Sequence, residues 1–262
     1  METMEMNNRV YNSDLLKGTG LIQETMVLID LYRAGMSKQD LINQVLEFNP
    51  LAKEHENRTK DIINHTFYRR FLKDGESAVL EIQTLRNNYV SLEVVSQIIF
   101  IATCRANLIL FDFVTEIFQP LAKNGTPILP DKAAFNFIEA AIRDGRIPNK
   151  WADSTKQKVS EHMNACLIDF KLTDRSKKIL PFYINDLTAN YWIHKQHFDG
   201  LSDAAIIELD EWNLFGLDRQ DVLNLMHRLS LAGSFVYQHS GELIKITWNY
   251  KSMNEFINGI TK

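Results

Sequence analysis

Leu92 to Leu121 reads LEVVSQIIFIATCRANLILFDFVTEIFQPL, and this stretch decides between a membrane span and a buried helical core. Glu93, Arg105, Asp112 and Glu116 interrupt it, and the uncharged run Val94 to Cys104 is 11 residues long. A bilayer needs about 18–20 apolar residues. The stretch is therefore read as two apolar helices, near Leu92 to Ala106 and Leu108 to Leu121, inside a soluble bundle. No membrane partner is expected.

The same helical period extends towards the N-terminus. Leu21, Thr25, Leu28, Ile29 and Tyr32 recur on one face of a helix that stops at Gly35. Ser37 with Asp40 starts the next helix as a capping-box variant. Its stripe is Leu41, Ile42, Val45, Leu46 and Phe48, and Asn49-Pro50 ends it. A third helix fits Arg58 to Leu72, with Ile62, Ile63, Phe67 and Phe71 inward and Asp74-Gly75 as its break. A short one fits Ser77 to Leu85. Residues 14 to 122 thus read as an all-helical bundle.

Composition agrees with a folded, mainly α chain. Of 262 residues, 45% are hydrophobic and 24% charged, enough apolar side chain to bury a core. Glycine (11) and proline (6) are too few for a strand-rich fold with its many turns. Two cysteines, Cys104 and Cys166, cannot staple a disulfide scaffold and read as buried thiols in a reducing cytosol. Met1 to Val10 has neither a basic region nor an apolar core, so no secretory signal is expected and the location is read as cytoplasmic.

Lys123-Asn-Gly-Thr-Pro127 is the clearest linker. Beyond it, a helix over Asp131 to Asp144, a turn at Gly145 to Pro148, a helix from Asp153 or Ser154 to about Asp169, and strand, turn, strand over Lys171 to Pro181 follow the order of a winged helix-turn-helix. The order returns with a helix over Ser202 to Trp212, a turn at Gly216-Leu217, a helix over Asp218 to Ala232 and a hairpin over Phe235 to Trp248, with Gly241 and Glu242 in its loop. The reading is a helical bundle over 1–123, a winged helix-turn-helix over 124–185 and a second winged-helix-like unit over 186–262.

Net charge is −4, which excludes a protein held to nucleic acid by bulk charge but not one with a local basic patch. Arg146 to Asn185 holds eight cations against four carboxylates, and Lys53 to Lys73 holds six against three. Asp186 to Asp221 holds eight carboxylates against two cations. Duplex phosphate is a line of negative charge from which each Lys or Arg releases counterions. The candidate contacts are Arg58, Arg69, Arg70, Lys156, Lys158, Arg175, Lys177 and Lys178. Arg175 to Lys178, three cations in four residues at the hairpin tip, is the strongest candidate, with a solvated turn as the bland alternative. One of Arg69 and Arg70 is open to pairing across the bundle. The acidic C-terminal unit repels a duplex and reads as a protein-docking module, or as one that packs back onto the basic segment.

No catalytic constellation emerges. Gly18-Thr-Gly20 lacks the Gly-Lys-Ser/Thr of a phosphate loop and reads as a helix lead-in. His194 and His197 with Asp199 have metal-ligand chemistry but no second ligand pair, and read as a surface pair on a helix end. Asp61 and His65 share a helix face as a structural pair. No serine sits in a nucleophile elbow, and Cys104 beside Arg105 is the one thiol with a cation next to it. No cofactor and no metal are expected.

Several blocks carry a family resemblance. Leu15-Leu-Lys-Gly-Thr-Gly-Leu-Ile-Gln-Glu24-Thr, Tyr32-Arg-Ala-Gly35-Met-Ser37, Val45-Leu-Glu-Phe-Asn49-Pro-Leu51 and the helix carrying Arg69-Arg70 resemble the start of the BrxA family. Trp151-Ala-Asp-Ser154-Thr155-Lys-Gln-Lys158, Leu167-Ile-Asp and Ile179-Leu-Pro181 resemble a second block. The resemblance covers about residues 11 to 185. It implies a component of BREX bacteriophage-defence systems, with a bundle similar to the antitermination factor NusB, winged-helix character after it, double-stranded DNA binding, other defence proteins as partners and no enzymatic activity. Residues 186 to 262 depart from the typical, shorter member. Three functions follow for testing: a non-enzymatic DNA-binding accessory with little sequence preference, a scaffold that docks larger defence enzymes, and an RNA-binding protein by analogy with NusB. A metal-dependent hydrolase ranks last.

Overall fold

The computed structural model describes residues 9–241 and 243–260. The reading of Met1 to Asn8 as free of a signal sequence, and Glu242 in the hairpin loop, lie outside the described residues.

A 3-10 turn at Asp14–Lys17 leads into α1 (Ile22–Leu31) and α2 (Lys38–Phe48). The Ser37 hydroxyl accepts from Asp40 N at 3.1 Å to start α2, and Asn49 ends it in the left-handed region at φ 41°. The third helix begins at α3 (Glu56–Asp61), two residues ahead of the expected Arg58, and widens into a π-helix over Ile62–Leu72. Hydrophobic period alone does not report that widening, because the inward residues Ile62, Ile63, Phe67 and Phe71 satisfy either winding.

After α4 (Ser77–Asn87), α5 spans Leu92–Ala106 as expected. The chain turns through 111° before α6 (Leu108–Phe113), a π segment (Val114–Phe118) and α7 (Gln119–Lys123). At the corner Asn107 Nδ2 donates back to Thr103 O at 2.9 Å. No single helix among the described residues is long and apolar enough to cross a membrane. Phe100, Ile101, Leu110, Phe113 and Phe118 are all buried in the core.

Beyond the linker come α8 (Ala133–Arg143) and α9 (Asp153–Asp169). The strand-turn-strand expected over Lys171 to Pro181 is corrected to isolated bridges, Thr173 with Ile179 and Ile128 with Lys178. Lys171 sits at φ 61° directly after α9, and Pro181 has no N–H to extend the ladder, so each pairing ends after a residue or two. The linker end contributes the other edge, with Leu129 N donating to Lys177 O and Ile179 N to Pro127 O, both at 2.9 Å.

The remainder is α10 (Asp186–Phe198), α11 (Asp203–Ile207), a 3-10 turn (Asp210–Phe215), α12 (Arg219–Leu231), strands β1 (Phe235–Ser240) and β2 (Leu243–Trp248), and α13 (Met253–Ile260). The single helix expected over Ser202 to Trp212 is thus split in two. The hairpin is antiparallel as expected, in register from Phe235 opposite Trp248 to Ser240 opposite Leu243. The capping box of α12, reciprocal between Asp218 and Asp221, follows Gly216 at φ 67°.

One core runs from Tyr11 to Ile257 across all three segments. Phe100 of α5 packs on Phe170, Phe182 and Phe215, and Phe182 stacks on Phe215 at 5.4 Å and 7°. Gln119 Nε2 donates to Leu214 O at 2.6 Å, and Tyr191 OH donates to Glu81 at 2.8 Å. Both later segments are therefore fastened to the bundle through its buried face.

Candidate nucleic-acid interface

The three bundle arginines converge on one short piece of backbone. Arg70 Nη1 and Nη2 donate to Gly20 O at 2.8 Å and Thr19 O at 2.6 Å. Its guanidinium is enclosed, and burial lowers its pKa to about 10. Gly20 N donates to Asp169 Oδ2 at 3.0 Å, and a Cβ on Gly20 would lie 2.6 Å from Asp169 Cβ. Gly20 is thus a close-approach glycine where α9 meets the bundle, and Gly18 is one against Thr66 within the bundle. Arg58 Nη1 donates to Lys17 O at 2.6 Å, and Arg69 pairs with Asp14. Arg70, one of the candidate phosphate contacts, is a part-buried anchor of the 19–20 backbone. Arg58 and Arg69 hold the adjacent 14–17 turn.

Lys156, another candidate contact, is likewise engaged within the protein. It is 8% exposed, pairs with Glu139 at 2.6 Å and Asp153 at 2.7 Å, and lies 5.7 Å from the centre of the Phe135 ring. Hydrogen bonds that it donates to Asp153 and then to Glu139 raise its pKa. Lys158, two residues on, points the other way and is exposed without an ion pair among the described residues.

The turn from Asp174 to Lys178 is built by its own carboxylate. Asp174 Oδ1 accepts from Ser176 N (2.8 Å), Ser176 Oγ (2.6 Å) and Lys178 N (3.0 Å), and these bonds, the Ser176 hydroxyl first, hold its pKa below the usual range. Lys177, at φ 65°, turns back to Asp131 at 2.7 Å. Arg175 and Lys178 are left exposed with no ion pair among the described residues.

The BrxA family profile matches residues 9–196, well over half of the chain. The chain belongs to the BrxA family. Membership points to a component of a BREX phage-defence system, with other proteins of that system as partners. Among solved structures, the chain is similar to that of an uncharacterized protein from Magnetospirillum magneticum. The identity is 18% and the TM-score 0.57, over 71% of this chain and 94% of that one, a likeness that shows a shared fold alone. No curated protein matches the sequence.

Within this BrxA-family chain the blocks that carried the resemblance have physical roles. Glu24 pairs with Lys53 at 2.8 Å, and Asn49 Oδ1 accepts from Lys53 N at 3.1 Å, so both residues secure the corner after α2. The match stops inside α10, at residue 196, and most of the acidic unit lies beyond it.

The remaining chemical candidates resolve into packing. His194 and His197 are not a surface pair. His194 is fully buried, stacked on Phe256 at 3.9 Å, and burial lowers its pKa to about 4. His197 stacks on Trp248 at 3.8 Å. Isolated sequence could not show this, because the covering residues arrive from the hairpin and α13, 50 to 60 positions later. Among the described residues no group of three or more His, Cys, Asp or Glu is placed to hold a metal. Asp61 faces His65 at 3.7 Å and takes Lys17 at 3.2 Å. Cys104 and Cys166 are buried, which raises both thiol pKa values, that of Cys166 to about 12. The cation that acts on both is Arg70; Arg105 instead reaches Glu211 at 3.4 Å.

Proposed function

We propose that this chain is a non-enzymatic BREX component of the cytoplasm that contacts double-stranded DNA phosphates through the α8–α9 unit and its tip, acting there as a winged helix-turn-helix. The observation that carries this reading is where the unpaired cations are. Lys132, Arg143, Lys150, Lys158, Lys171, Arg175 and Lys178 are exposed and make no ion pair among the described residues. In the acidic unit Lys195, Arg219 and Arg228 are each paired with a carboxylate, and Lys245 and Lys251 are the exposed cations without an ion pair among the described residues. Ion-paired cations must exchange one anion for another to bind phosphate, whereas unpaired ones gain the full counterion-release term.

Such contacts position a protein without reading bases, so little sequence preference is expected. The test is competition at one fixed salt concentration between duplex DNA, single-stranded DNA and structured RNA. Preferential retention of duplex supports the reading. Preferential retention of RNA assigns the bundle an RNA role, and no retention of any nucleic acid leaves a scaffold.

A further inference from the structure

An open cleft of about 630 Å³ lies between the start of α1, the start of α5 and the segment from Phe170 to Tyr183. Met26, Phe170 and Phe182 give it an apolar lining, and Leu92 and Tyr183 are 65% and 78% exposed. Pro181 biases Leu180 before it towards extended backbone, and the chain runs on through Phe182 to Ile184 outside any helix or strand. Gln97 then pins that segment, donating from Nε2 to Tyr183 O at 2.8 Å and accepting from Asn185 N at 2.9 Å. The backbone N–H groups of Phe182, Tyr183 and Ile184 have no acceptor among the described residues. A fixed, unpaired stretch of backbone beside an apolar cleft is the arrangement that takes an added strand. Of the carboxylates that line it, Glu24 is held by Lys53 and Asp169 accepts from Gly20 N, whereas Glu93 is exposed with no ion-pair partner among the described residues; Lys171 is the cation in the lining.

We propose that this cleft receives an extended segment of a partner protein in which apolar and basic side chains alternate. Backbone pairing with 182–184 holds the segment, its apolar side chains enter beside Leu92 and Phe182, and its cations face Glu93. The inference is separate from the DNA reading at the tip, since Arg175 and Lys178 take no part; Lys171 borders both.

The probe is a fluorescein-labelled octapeptide alternating arginine and leucine, titrated by anisotropy against the full chain. A glutamate–leucine peptide and a backbone N-methylated arginine–leucine peptide serve as controls. N-methylation is expected to weaken binding about tenfold by removing the main-chain bonds. Leu92→Ser and Tyr183→Ser, both at exposed positions and checked for fold by circular dichroism, are each expected to weaken it about threefold or more. Amide exchange at Phe182 to Ile184 slows in the complex, and duplex affinity of both variants is unchanged. Equal binding of the glutamate or N-methylated peptide, or unchanged binding by both variants, overturns the proposal. Self-association of the chain that Tyr183→Ser abolishes also overturns it, by placing a second copy in the cleft.

Discussion

The regions 133–180 and 203–248 both run helix, turn, helix and β-paired segment, and they pair their cations to different extents. In the first, Lys158, Arg175 and Lys178 project without ion pairs among the described residues, while Lys156 and Lys177 are drawn back onto Glu139 and Asp131. In the second, Arg219 is held by Glu208 at 2.7 Å and Arg228 by Asp186 at 2.6 Å, Lys245 on the hairpin is left exposed, and the hairpin is a true two-stranded ladder. Charge counted along a chain is therefore a poor guide to charge available at a surface. What differs between the two regions is how many cations are left after local pairing.

The largest expected break falls at the joint that carries both regions. Phe100→Ala removes the ring shared by Phe170, Phe182 and Phe215 and should cost about 3–5 kcal/mol, read by urea denaturation. A cost below 1 kcal/mol would mean that the segments do not depend on the bundle. Arg70→Ala comes next. It leaves Thr19 O and Gly20 O without their donor and should cost about 2–4 kcal/mol by the same measurement. Arg175→Ala, exposed and unpaired, should leave stability within about 0.5 kcal/mol.

His194 gives the second region a pH signature. Folding lowers its pKa from about 6.5 to about 4, so the unfolded chain takes up a proton first as pH falls. Its contribution is complete above pH 6.5, declines as pH drops towards 4 and then levels off. The loss is at most about 3 kcal/mol. The difference in stability between the protein and His194→Phe, followed from pH 7.5 to 4, should narrow by that amount; a constant difference would refute the assignment. The smallest effect is at the surface pairs, where Arg228→Ala should cost about 1 kcal/mol or less, in contrast with Arg70.

The helical framework was legible because its period is carried by residues such as Leu41, Val45, Ile62 and Phe67, whose burial requires no distant partner to be known. Ser37 and Asn49 marked the ends of α2 through local chemistry. The fate of the cations was not legible. Arg70 is enclosed only because the Gly18–Gly20 backbone and Asp169 of α9 meet it, and those residues lie about 50 positions before and 100 positions after it. Lys156 and Lys158 differ by two residues and face opposite ways, and only the position of α8 says which is covered. Alternation over 171–181 does not register that Lys171 takes a left-handed backbone, so it does not show that the β pairing there is reduced to isolated bridges.

The most direct test of the account is the salt dependence of duplex binding for two triple variants. In Lys158→Ala/Arg175→Ala/Lys178→Ala the slope of log K against log salt should fall in magnitude by about 2–3, near 0.9 for each lost phosphate contact. In Lys195→Ala/Arg219→Ala/Arg228→Ala, which removes as many positive charges, all of them ion-paired, from the acidic segment beyond residue 185, the slope should stay as in the unaltered protein. Equal changes in the two variants would contradict the account, by showing that total charge governs the contact and the unpaired cations do not.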